Sequence, residues 1–390
     1  MSGLPAVRSP WRSAMRPHRD DGPERAATPL EAFFDLCFVV AVAQAGTQLH
    51  HALAEGHAAA ALLGYLTVFF AIWWAWVNFT WFASAYDTDD VPYRLATFVQ
   101  ITGVLILAAG VPRAFTGHDF GVVVVGYAVM RTGLISQWLR AAAGDPAGRT
   151  AALRYAGGVA LVEVGWVSWL AVPPGGRWLV YGLLVVTELA VPALAERDHP
   201  TAWHPGHIAE RYGLFTLIVL GESVAAATIA VQTALDDHEA TARLYTVTAG
   251  GLVAVFAMWW LYFSKPAARL LTSSRVAFAW GYGHYVILSS AAAVGAGLAV
   301  NLDRVTHHSE VSRAWAGACV TIPVALFLMS VWALHVRPHP GRATHLPLYL
   351  GAILATLAAT FTPVPVLVAG LVPAALVAAS VILADREPAA

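Results

Sequence analysis

Residues 59–85 read AAALLGYLTVFFAIWWAWVNFTWFASA, 27 consecutive positions without a charged side chain. A helix that crosses a bilayer needs about 20 mostly apolar residues, so this stretch is long enough to span one. Outward from it the chain repeats the same pattern. Twelve candidate spans fall at 30–53, 59–85, 95–111, 120–139, 151–172, 178–195, 208–235, 244–263, 277–300, 314–335, 346–362 and 364–384. The last division is the thinnest, with only Thr362, Pro363 and Val364 around it. Composition points the same way: 12% of the 390 residues are charged and 58% hydrophobic, with a mean hydropathy of +0.61, whereas soluble domains are about a quarter charged. A water-exposed globular enzyme is therefore not expected, and a net charge of −1 argues against an electrostatic nucleic-acid binder. Cys37 and Cys319 both sit in apolar runs, which indicates neither a disulfide framework nor a cysteine zinc site. The expected fold is all-α: a polytopic membrane protein of about twelve transmembrane helices, with membrane lipids as its surroundings.

The basic residues give the orientation. Residues 1–27 carry five arginines but no apolar core, so they read as a cytosolic disordered tail rather than a signal peptide. With the N-terminus inside, 17 Lys and Arg fall on the cytosolic side and five on the other, and Arg131 is left within a span. This bias obeys the positive-inside rule. It favours an even helix count with both termini cytoplasmic, 386–390 being the second tail.

The two halves look alike. Phe70-Ala71-Ile72-Trp73-Trp74 in the second span recurs as Phe256-Ala257-Met258-Trp259-Trp260 in the eighth, and Phe34-Asp35-Leu36 falls opposite Phe215-Thr216-Leu217. Six helices per half make both halves enter from one side, which implies two parallel repeats, 28–198 and 199–385.

Ionisable groups at membrane depth carry the functional reading, because each costs about 2.5–3.5 kcal/mol on insertion scales. The candidates are Asp35, Arg131, Glu163, Glu188, Glu222 and His284. Four acids face one guanidinium, so a surplus must be protonated, hydrated or balanced by a mobile cation or His284. Glu222 is the leading site. It lies about twelve residues, roughly 18 Å, into the seventh span, between Gly221 and Ser223. Arg131 is expected to make an ion pair with Glu163 or Glu188. Thr28-Pro29-Leu30-Glu31 reads as a capping box with proline at the first helical position. Asp35 lies one turn deeper on the same face; it either pairs with Arg25 or Arg211 or guards a cytosolic entrance, and with Glu222 it is a leading candidate for proton or cation movement. Glu210 and Arg211 read as a local cap or salt bridge opening the seventh helix. His284 is either a proton relay or a hydrogen-bonded packing residue.

Other signals are weaker. His204, His207 and Glu210 have metal-like spacing, but Pro205 places His204 outside a helix, and a solvated loop is expected. His50, His51, His57, His307 and His308 are interfacial without a ligand pattern. Trp73, Trp74, Trp76 and Trp81 read as an interfacial or packing belt, and Asp87, Asp89 and Asp90 as a solvated acidic turn. No P-loop, HExxH or GxSxG motif is present. No catalytic residue, metal or cofactor is expected. The small-residue run 291–297 permits close helix approach, within the chain or in a homo-oligomer.

Two stretches carry a resemblance. Glu31-Ala32-Phe33-Phe34-Asp35-Leu36-Cys37-Phe38-Val39 and Glu210-Arg211-Tyr212-Gly213-Leu214-Phe215-Thr216-Leu217-Ile218-Val219-Leu220-Gly221-Glu222 are similar to the Glu-Leu-Phe-Phe-Asp-Leu-x-Phe-Val and Glu-Arg-x-x-Leu-Phe-Thr-Ile-Ile-x-Leu-Gly-Glu motifs of the low temperature requirement protein A family, with Ala32 departing from its leucine. The likeness covers roughly residues 24–385. It implies a bacterial inner-membrane setting and a loose association with growth in the cold, and no molecular activity. The expectation from residues and resemblance together is a transporter-like or channel-like protein that handles protons or small cations; the alternative is a non-transporting stress-tolerance or assembly factor whose buried acids fix helix packing.

Overall fold

A computed structural model describes residues 26–198, 200–236, 241–339 and 345–385, with residues 11, 13 and 15–17. Most of the tail expected at 1–27, Arg25 included, and all of 386–390 lie outside the described residues. Among those described there is no strand, and twelve helices follow in order: α1 Pro29–Ala54, α2 Ala58–Ala85, α3 Val91–Gly117, α4 Gly121–Gly144, α5 Arg149–Trp169, α6 Pro174–Ala195, α7 Pro205–Asp236, α8 Ala242–Phe263, α9 Ser274–Val305, α10 Arg313–Val331, α11 His345–Ala359 and α12 Pro365–Asp385. The all-α reading stands. Ten of these helices are long and apolar enough to cross a membrane. Of the other two, α5 is diluted by Arg154 and Glu163, and α11 has 15 residues, about 22 Å at 1.5 Å per residue. Helix starts follow local capping chemistry. Asp90, Thr241, Ser273 and Ser312 each accept the third helical N–H of α3, α8, α9 and α10, which satisfies a donor the helix itself leaves open.

The chain forms two compact units that alternate along its length. The first comprises Met1–Ala41 and Ala71–Arg211, the second Val42–Phe70 and Tyr212–Ala390. In the first unit α3 packs on α4, α4 on α5 and α5 on α6. Gly103 and Gly126 let α3 and α4 approach closely, since a Cβ on Gly103 would lie 2.6 Å from Met130 N. A buried amide pair, Gln100 Nε2 to Gln137 Oε1 at 2.8 Å, ties the same two helices. Trp138 stacks on Tyr155 at 4.2 Å between α4 and α5.

In the second unit α9 is enclosed almost all round. The run 291–297 makes that possible. A Cβ on Gly295 would lie 3.0 Å from Ser223 Cα of α7, and Gly297 abuts the Cys319–Val320 backbone of α10. The small residues are thus used in packing inside this unit. Asn301 on α9 donates to Gly297 O at 2.8 Å and to Ala316 O at 2.6 Å. α10 ends in a π-helical turn over Trp332–Val336, a local widening often found where side chains must be re-aimed. Large side chains left exposed, such as Leu161, Leu179 and Val186, match hydrocarbon rather than water.

The contrast between two glycines tests the packing. Gly103→Leu is expected to destabilise the protein by about 1–3 kcal/mol through overpacking, read as a lower Tm in detergent. Gly182→Leu, with nothing within 4 Å of its would-be Cβ, is expected to leave Tm unchanged.

Candidate functional site

The start of α1 and the start of α7 meet in the first unit through charge. Thr28 N donates to Glu31 Oε2 at 2.7 Å and Glu31 N donates to Thr28 Oγ1 at 3.3 Å, the reciprocal bonds of a capping box. The other Glu31 oxygen faces His207 Nε2 at 3.0 Å and Arg211 Nη1 at 3.2 Å. One turn on, Arg211 forks onto Asp35, Nε to Oδ2 at 3.0 Å and Nη2 to Oδ1 at 2.5 Å, and Trp76 Nε1 adds a third donor at 2.7 Å. Glu31, Asp35, His207 and Arg211 are all fully buried. Two carboxylates and one guanidinium leave one negative charge, which His207 cancels when protonated. Asp35 is therefore held as a buried ion-pair partner of Arg211. Arg211 is not a local cap but a second buried guanidinium, so the count of four acids to one arginine is corrected. His207 does not lie in a solvated loop, since α7 begins at Pro205 and buries it. Glu210 is exposed and accepts from Ala27 N at 3.0 Å.

A second cluster in the same unit surrounds Arg131. Both candidate acids reach it: Glu188 Oε1 at 2.5 Å from Nη2 and Glu163 Oε2 at 3.5 Å from Nε. Glu188 is further held by Trp74 Nε1 and Trp166 Nε1, each at 2.7 Å. Tyr127 places its hydroxyl 3.1 Å from Nη2 and its ring 4.4 Å from the guanidinium, a cation–π contact. Neither Glu163 oxygen has a hydrogen-bond partner among the described residues. Trp73, Trp74, Trp76 and Trp81 are buried, the packing alternative of the sequence reading, and Trp74 and Trp76 also donate to Glu188 and Asp35.

The acidic turn at 87–90 is likewise more structured than a solvated loop. Asp90 is buried, accepts from Ser13 N and Tyr93 N at 2.8 and 2.9 Å, and pairs with Arg140 at 2.7 Å. Burial alone pushes its carboxyl up, but the Ser13 N–H, the Arg140 guanidinium and the Tyr93 N–H outweigh it and hold the group below its ordinary 3.8.

In the second unit His284 is buried against aromatic rings. Its Nδ1 lies 2.8 Å from Trp280 O and its Nε2 3.1 Å from Tyr262 OH and 3.3 Å from His335 Nε2. Since Trp280 O only accepts, Nδ1 carries the proton and Nε2 is the acceptor. His335, on the π-helical turn, had no periodic signal to mark it.

Among the described residues Glu222 has no guanidinium beside it, unlike Glu31, Asp35, Glu163 and Glu188. It makes no hydrogen bond or ion pair among the described residues, and it borders a cavity of about 310 Å³ between α1, α7 and α9. Glycines and alanines make up much of its lining, with Val42, Ile229 and Leu302 as larger apolar side chains, Ser223, Thr47 and Thr306 as hydroxyls, and His308 as a further imidazole. His50 Nε2 and Asp303 Oδ2, 2.6 Å apart, also line it. His50 was visible only as an interfacial histidine, and Asp303 lies near the end of α9, where an acid is unremarkable in one dimension. Among the described residues no three His, Cys, Asp or Glu side chains converge to hold a metal ion.

The sequence profile of the bacterial low temperature requirement A proteins matches residues 26–384. The chain belongs to that family. With its apolar helices, this makes it a multi-pass integral membrane protein of bacterial type. It is also 28% identical over 278 residues to an uncharacterized protein of Rhizobium meliloti (strain 1021), an alignment that covers 66% of this chain and 65% of the relative. The two stretches that carry the low temperature requirement A likeness supply Glu31, Asp35 and Arg211 to the ion-pair cluster and Glu222 to the cavity.

Removing one partner of a buried ion pair strands the other charge. Arg211→Ala is expected to cost about 3–5 kcal/mol, seen as loss of folded protein or a large fall in Tm; a near-neutral result contradicts the clamp. For Asp90 the folded pKa is depressed, so its contribution is full above the ordinary value and is lost as pH falls through the lower folded one. Asp90→Asn keeps a good N-cap but loses the charge. Its Tm deficit against wild type is expected at about pH 6 and should shrink toward about pH 3.

Proposed function

We propose that this protein is a proton- or cation-linked transporter or channel of the bacterial inner membrane, with both termini cytoplasmic, and that Glu222 is the group that takes the cation. One observation carries the reading: among the described residues, Glu222 is a half-buried acid that makes no hydrogen bond or ion pair and borders an open space, whereas Glu163, also without a hydrogen bond, lies 3.5 Å from the Arg131 guanidinium. A carboxylate at membrane depth is costly, and a protein needing only a helix tie satisfies it as it does Asp35 and Glu188. A carboxylate left without donors gains most when a proton or cation arrives. Binding and release of that charge can bias alternative conformations, so no covalent step, and thus no enzyme activity, is assigned. The association of the family with growth in the cold fits a role in keeping ion or solute balance when membranes stiffen. Glu163, at 3.5 Å from a guanidinium already engaged by Glu188, is the secondary proton-binding candidate, and His284 is assigned to packing.

The second reading, a non-transporting stress-tolerance or assembly factor, is favoured by the clamped clusters around Arg131 and Arg211. It explains Asp35 and Glu188 and leaves Glu222 without a purpose. Reconstitution separates the two. Purified protein in liposomes with an internal pH dye, under imposed proton, sodium or potassium gradients, is expected to show flux that falls by about an order of magnitude or more in Glu222→Gln while Tm is unchanged. Absence of flux under every gradient rejects transport of these ions.

A further inference from the structure

We infer that the cavity bordered by Glu222, His50 and Asp303 is a binding site for one organic ammonium ion, a monovalent cation with an N–H head and a short hydrocarbon body. The inference rests on the cation reading of Glu222 and specifies the kind of cation. Charge comes first. His50 Nε2 and Asp303 Oδ2 are 2.6 Å apart, the length of a charge-assisted contact. That contact engages the Asp303 carboxylate within the wall itself. Glu222, with no hydrogen bond or ion pair among the described residues, is the lining carboxylate left to meet a cation; the other ionisable group of the lining, His308, has its Nδ1 3.0 Å from Thr306 Oγ1.

Size comes next. About 310 Å³ is roughly ten times the ~30 Å³ share of a water molecule in the liquid, far more than a proton or a bare alkali ion occupies. It reaches the lower end of small-molecule sites, roughly 300–1,000 Å³. A bare metal ion also wants several converging ligands, and the cavity sets Glu222 apart from a pair already joined to each other.

The walls decide the rest. Gly46, Ala226, Ala292, Ala296 and Ala299 face the space and offer hydrocarbon without filling it. A Cβ added at Gly46 would meet nothing within 4 Å, so the void continues over that face of α1. A carboxylate beside a largely apolar lining, in which Val42, Ile229 and Leu302 join the small residues, matches an ammonium head with an alkyl body. Such a head exists on free amines and on phosphatidylethanolamine.

The test uses the full chain in phosphatidylcholine nanodiscs, titrated calorimetrically with n-hexylammonium chloride and, as the neutral isostere, n-hexanol, against empty discs. Saturable binding of hexylammonium at one site is expected, with hexanol at least about tenfold weaker. Glu222→Gln should weaken hexylammonium at least about tenfold at unchanged Tm. Gly46→Leu should reject hexylammonium while methylammonium still binds, because only the longer body needs that space. Added phosphatidylethanolamine that competes identifies the headgroup as the source; lack of competition identifies a free amine. No binding of hexylammonium, or binding indifferent to Glu222→Gln, overturns the inference. If flux of inorganic ions still depends on Glu222 in that case, the cation reading stands without the ammonium; if it does not, both fall.

Discussion

A charge inside a membrane has to be answered by another group, and most of this protein's polar architecture is such an answer. Arg211 answers two acids, Glu31 and Asp35, with Trp76 and His207 completing the shell. Arg131 answers Glu188 and stands near Glu163, with two indoles and a phenol around it. The guanidinium suits this work because its fork meets a carboxylate with two donors at once and keeps its charge at any accessible pH. Indole N–H groups add donors without adding charge, which is why tryptophans sit in the core and not only at its edges.

Against that background an acid without donors is informative. Glu222 shares the cost of membrane depth with the others and receives none of their compensation from the protein. The small residues of α1, α7 and α9 serve two ends in the second unit. Some, such as Gly295 and Gly297, allow backbones to touch; others, such as Gly46 and Ala296, leave a void beside the carboxylate. The same residue class makes contact in one place and space in another, depending on what the opposite helix presents.

Family membership rests on two short stretches as well as on the whole-chain match, and the structure gives those stretches physical work. One contains Glu31 and Asp35, the other Arg211 and Glu222. The helix starts they encode are joined by a bond between residues 176 positions apart, so the motif spacing records a tertiary contact, and Glu222 extends the second stretch to the cavity wall. Neither stretch contains His50 or Asp303, which entered the candidate site only through folding.

The sequence by itself determined the all-α class, the twelve helical segments to within about six residues at their ends, and the capping box that opens α1. These depend on neighbours in the chain: the length of an apolar run, a proline at the first turn, a hydroxyl three residues before an open N–H. It also singled out Glu222 as an acid well inside the seventh apolar run. Which charges meet was decided by tertiary structure alone. Arg211 has the same local sequence whether it caps its own helix or crosses to Asp35, and Arg131 could not choose between Glu163 and Glu188 because the choice depends on how α4, α5 and α6 face one another. His50 and Asp303 lie 253 positions apart, and no periodicity relates them. Pairing and cavities are properties of facing surfaces, which a one-dimensional pattern of hydrophobicity does not contain.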